Sequence, residues 1–102
     1  MLEGKAVIGE TDMLQTMQED ALELAAKALD FFDVTDATDI ARVIKQEFDR
    51  MYGGGWQCIV GTDFGSFVTH CSGSFIHFCV GNLAILLFRG SSVVGEKNNM
   101  DD

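Results

Sequence analysis

Trp56 to Phe88, WQCIVGTDFGSFVTHCSGSFIHFCVGNLAILLF, is the stretch whose reading decides the fold. Trp56, Cys58 and Val60 alternate with Gln57 and Ile59, and Phe64, Ser66, Val68 and His70 alternate with Gly65, Phe67 and Thr69. A period of two sends successive side chains to opposite faces of an extended chain, so both runs are predicted strands. Ser74 to Val80 and Leu83 to Phe88 flank Gly81-Asn82, a pair tolerant of positive φ that suits a two-residue hairpin. The stretch predicts four strands of a small antiparallel sheet.

Upstream the period changes. Ala6, Val7 and Ile8 make a short β-type run before Gly9, and Asp12 with Gln15 three residues on reads as a capping box opening a helix. Met17, Ala21, Leu24, Ala25, Ala28 and Phe32 recur at spacings of three and four, with Glu19, Asp20, Glu23 and Lys27 mostly off that stripe. Turn and cap residues fill Asp33 to Asp39, and Ile40, Val43, Ile44, Phe48 and Met51 form a second stripe that Gly53-Gly54-Gly55 ends. The order strand, helix, helix, four strands is an α+β arrangement in which both helices can cover one face of the sheet.

The chain has 102 residues, one domain's length, read as residues 1–90 followed by a Gly-, Ser-, Asn- and charge-rich tail, 91–102, expected to be disordered. A domain this small buries only about 60–70% of its unfolded surface, so association is a plausible source of added stability. With 7 Lys+Arg against 16 Asp+Glu, the net charge of −9 repels phosphate backbones and anionic lipid, which argues against nucleic-acid and membrane partners. MLEGKAVIGE lacks the pattern of a secretory signal, and the apolar run Phe75 to Phe88 is too short to span a bilayer, so an intracellular, soluble chain is expected. Cys58, Cys71 and Cys79 are an odd set without close pairing and read as reduced, buried thiols.

Catalytic readings are poorly supported. His70-Cys71 and His77-x-Cys79 bring imidazole and thiol together, and His77 and Cys79 would share a strand face, which raises a zinc- or thiol-dependent oxidoreductase as an alternative. The spacings of structural zinc sites are missing, His70 and Cys71 point to opposite faces, and an acidic chain gives a thiolate no electropositive neighbourhood. The glycines at 53–55, 61 and 65 match neither phosphate-binding pattern, and Glu19, Asp20 and Glu23 read as a solvated helical face. No catalytic residue, metal or cofactor is expected. What remains is a surface: Phe64 to His70, rich in Gly, Ser and Thr, suits an edge open to another strand as well as an ordinary half-exposed strand.

GWQCIVGTDFGSFVTH and LAILLF resemble the eight-kilodalton dynein light chain family, and the likeness runs from KAVI at Lys5 through EDALELAAKAL and IKQEFDRMY to Arg89. The resemblance implies a non-catalytic, cytoplasmic, cytoskeleton-associated adaptor: a homodimer in which the strand Thr62 to Val68 crosses to the partner's sheet. It also implies a groove, shared with the second helix, that takes disordered segments with a Thr-Gln-Thr core by strand addition and so promotes partner dimerisation. The family's eponymous partner is the dynein intermediate chain; a general dimerisation hub with no motor role is the alternative within the fold. Asp63, Phe64, Gly65, Ser66, Phe67, Val68 and Thr69 match the peptide-pairing strand, His70 its end, and His77 and Cys79 the groove. Gln57, Phe64, Ser66 and Phe67 match the dimer interface. Phe67, His77 and Cys79 stand where tyrosines are common. Thr38 lies near a position where a lysine is frequent, after a connection two residues longer, and Gly90 replaces a serine that some members phosphorylate.

Overall fold

Residues 6–90 are described by the structure, a computed structural model; the expected tail, 91–102, lies outside them. Six elements follow in chain order: β1 (Ala6–Thr11), α1 (Gln15–Phe31), α2 (Ala37–Tyr52), β2 (Trp56–Gly61), β3 (His70–Val80) and β4 (Leu83–Gly90). The strands form one antiparallel sheet in the order β1-β3-β4-β2. Val80 pairs with Leu83 across Gly81-Asn82, and Gly81 takes φ +61°, the conformation that the tight hairpin requires.

Both helices pack on one face of this sheet. Ala21, Ala25 and Ala28 of α1 and Ile40, Ile44 and Phe48 of α2 are buried against Trp56, Ile76, Phe78, Ile85 and Leu87. Small residues on α1 let it lie close against α2, while the larger residues of α2 fill the space over β2. Phe48 and Trp56 meet edge to face, with ring centroids 4.8 Å apart. Asp49 ties the helix end to the sheet: its carboxylate accepts the Trp56 N–H at 3.0 Å and a hydrogen bond from Lys45. Those bonds, the one from Lys45 foremost, hold the Asp49 carboxyl below its usual range.

Several expectations need correction. The Asp12–Gln15 capping box does not form: α1 starts after Leu14 without a side-chain cap, and Gln15 bonds Glu19 instead. Asp12 reaches across to β3, where its carboxylate accepts the N–H groups of Gly73 (2.8 Å) and Phe75 (3.1 Å), while its own N–H donates to the Phe75 carbonyl. These bonds hold an irregular part of β3 between His70 and Phe75, where its register against β4 shifts. Removing the clamp by Asp12→Ala should cost about 1 kcal/mol, at the low end for charge-assisted bonds because the site is exposed. Urea unfolding at fixed protein concentration checks this, and an unchanged midpoint would deny the clamp its role.

Asp20 is half-buried, not fully solvated, because it accepts the Tyr52 hydroxyl; that bond, with burial behind it, pushes the Tyr52 pKa up to about 12. The cysteines are half-buried rather than fully enclosed. The largest departure is the run 62–69, which pairs with no strand; β3 begins instead at His70, four residues before the expected Ser74. The alternation of Phe64 to Thr69 fits a strand, but among the described residues none pairs with it.

Candidate functional site

Among the described residues, no helix covers the second face of the sheet. Ser74, Ile76, Phe78 and Val80 of β3 are buried toward the helices, so the pleat sends the half-buried Phe75, His77 and Cys79 to the opposite side. Leu86, opposite His77 in the ladder, shares that side and is nevertheless fully buried, whereas Ile59, its neighbour on β2, is 44% exposed. This second face is therefore apolar and only partly covered.

The unpaired segment 62–69 borders this face and encloses a cleft of about 370 Å³ lined by Glu10, Phe64, Ser66, Phe67, Val68, His70, Phe75 and His77. The Phe64 and His77 rings meet edge to face at 6.0 Å, and His70 stacks on Phe75 at 4.8 Å, so the walls are aromatic and imidazole surfaces. His70 Nδ1 lies 2.9 Å from the Cys71 carbonyl, which fixes its ring at the point where the segment enters β3. Phe67 lines the cleft yet is fully exposed.

Of the residues singled out from sequence, Phe64, Ser66, Phe67, Val68, His70 and His77 come together in the cleft. Asp63, Gly65 and Thr69 lie exposed on the same segment but outside the lining, and Cys79 is half-buried on β3 two residues beyond His77. Gln57 is exposed on β2, one of the two edge strands of the sheet. Glu10 and Phe75 were missed by sequence reasoning. Phe75 was legible as the residue alternating with His77, whereas Glu10 depends on a bulge in β1 that period-two reading skips.

Chemically, the cleft offers backbone edges, aromatic walls and imidazoles. Among the described residues, no three His, Cys, Asp or Glu side chains gather as metal ligands, and no helix is long and apolar enough to cross a membrane. Burial pushes the Cys58 thiol up to about 12, so it stays protonated at neutral pH. A second hollow of about 320 Å³ lies over the helical layer between Leu24, Phe31, Phe32 and Val43, flanked by Lys27 and Glu47.

The sequence profile of the family described as "Dynein light chain type 1" matches residues 5–90. A protein of Schistosoma mansoni named "Dynein light chain" is 51% identical over 89 residues, covering 87% of this chain and 98% of the relative. Among solved structures, the dynein light chain-like domain of Fasciola hepatica calcium binding protein FhCaBP2 superposes with a TM-score of 0.69 at 26% identity, over 87% of this chain and 94% of that one. The DLC like domain of CsTAL3 shares the fold with a TM-score of 0.66 at 17% identity, over 82% and 90%.

Proposed function

The chain belongs to the dynein light chain family, and from that membership we propose that it is a non-catalytic homodimeric adaptor whose cleft takes extended segments of partner proteins by strand addition. One observation carries the reading: residues 62–69 have both backbone edges unpaired, beside a sheet whose strand β2 also has a free edge. A single chain thus holds a strand without a sheet and a sheet edge without a strand, and exchange between two copies satisfies both. In that dimer the segment of one protomer pairs through one edge with β2 of the other, placing Gln57, Phe64, Ser66 and Phe67 at the interface. Its second edge, with Asp63 to His70, His77 and Cys79 around it, receives the peptide.

The backbone ladder provides affinity, and pockets for alternate side chains provide selection. Disordered segments with a Thr-Gln-Thr core are the proposed ligands, the dynein intermediate chain among them, in the cytoplasm and on the cytoskeleton. Two equivalent grooves hold two copies of a partner side by side and raise their effective concentration.

Sedimentation equilibrium at micromolar concentration should give twice the 11.2 kDa chain mass. Calorimetry with a Thr-Gln-Thr peptide should give one site per chain. A monomer with native circular dichroism at that concentration would remove the exchanged strand, and a dimer that binds no such peptide would remove the groove.

A further inference from the structure

The helical layer holds a hollow that has no part in strand addition. Leu24, Ala28 and Phe31 on α1, with Phe32 just beyond it, face Val43 on α2 and enclose about 320 Å³, with Lys27 and Glu47 at the sides. Leu24, Ala28 and Phe31 succeed one another at spacings of four and three, so they form one stripe along the helix. The hollow is therefore a groove along the seam of the two helices, and it shares no residue with the cleft around 62–69. The Phe31 ring stands 81% exposed on its rim, held edge to face against Phe32 at 5.0 Å, and Val34 follows at 51%.

Two features of this groove select its occupant. Both walls are helices, whose backbone groups are already bonded within the helix, so nothing here can extend a β-ladder. A segment that covers the groove has to satisfy its own backbone, and it does so as a helix laying an apolar face into the groove. The rim is acidic: from Glu23 to Asp39 the chain carries five carboxylates and one cation, Lys27. Lys27 pairs with Glu23 and Arg42 with Asp39, and among the described residues no ion pair engages Asp30, Asp33 or Asp36. A second copy of the groove would bring the same three carboxylates face to face, and a phosphate-bearing surface would meet them too. Both are repelled, whereas Lys and Arg are attracted.

We propose that the groove between α1 and α2 is a second docking surface, and that its partner is an amphipathic helix with a large apolar residue seated against Phe31 and with Lys or Arg beside Asp30, Asp33 and Asp36. It is independent of the peptide cleft, so the chain holds a helix at one site and an extended segment at the other.

Calorimetry on the full chain tests this with a peptide of about 18 residues, roughly five helical turns, built of Leu, Lys and Ala with Leu on one face. Two twins are the controls: one with the same composition in an order that removes the apolar face, and one with Glu in place of Lys. The basic amphipathic peptide should bind at least about tenfold tighter than either twin. Phe31→Ala, at a position too exposed to carry the fold, should weaken it about tenfold, as loss of an aromatic anchor does. Asp30→Asn combined with Asp33→Asn should weaken it about three- to tenfold and flatten its salt dependence. Affinity for a Thr-Gln-Thr peptide should be the same in these variants as in the native chain; its failure to bind any of them would remove the cleft reading and leave this surface standing. Equal binding of the basic peptide and its reordered twin, or binding that Phe31→Ala leaves intact, would reflect only the net charge of −9 and would overturn the surface. No binding of the basic peptide would overturn it as well. Sedimentation showing species heavier than a dimer in the native chain, lost in Phe31→Ala, would make the occupant a second copy and overturn the basic helix.

Discussion

Phe48→Ala should remove about 3–5 kcal/mol of stability, the usual cost of emptying a fully buried aromatic site. Phe48 is the hinge of the helix–sheet contact, with its ring 4.8 Å from that of Trp56 and 5.0 Å from that of Tyr52. Small domains hold about 5–15 kcal/mol in total, so a loss of this size leaves a marginal fold. Trp56 is the single tryptophan and is itself fully buried, so its emission reports directly on this contact. Urea unfolding followed by that emission, at one fixed protein concentration, should show the midpoint falling steeply. Phe31→Ala is the matched control: Phe31 is 81% exposed, and its loss should stay within about 0.5 kcal/mol. Comparable costs at the two positions would mean that the core lies elsewhere. The fixed concentration matters because the measured stability of any chain that self-associates includes its assembly.

Val68→Pro should weaken binding of a Thr-Gln-Thr peptide at least about tenfold, provided the variant is first shown by sedimentation to remain dimeric. Proline removes a backbone donor and restricts the residue before it, and a strand-added peptide depends on such donors. Successive N–H groups of a strand point to opposite edges, so Val68 and Phe67 would serve different neighbours in the proposed exchanged dimer. Proline at one of the two should damage the peptide site, and proline at the other should damage the dimer. If Val68→Pro, Phe64→Ala and Thr69→Ala all kept native affinity in intact dimers, the peptide would have to bind somewhere other than along this segment.

Most of the architecture was legible from local patterns. The two helical stripes, the β2 alternation and the hairpin at Gly81-Asn82 each follow from a period or a turn signal within a few residues. The errors have a common origin in interactions that local patterns do not encode. Asp12 looked like a helix cap because Gln15 follows it at the right spacing, yet its partners are the N–H groups of Gly73 and Phe75, more than sixty residues away in sequence. Residues 64–69 alternate as a strand does, but an alternating run becomes a strand only when another backbone lies beside it, and among the described residues none does. Glu10 was passed over because a bulge breaks the period that reveals a strand face, and here it does so beside the cleft. Leu86 shows the converse: LAILLF reads as one apolar run because β4 lies in the middle of the sheet with a side chain buried on its second face as well.

The unpaired run 62–69 also bears on how long the protein survives. Proteases bind their substrates as extended chains, and eight consecutive residues free of any ladder offer such a chain without prior unfolding. Once the same residues are held between two backbones, cleavage has to wait for the strand to detach. Degradation would then be fastest for single copies and slowest for copies engaged with one another and with a partner segment. Chain turnover would thereby act as quality control on assembly, clearing surplus subunits and sparing those in use.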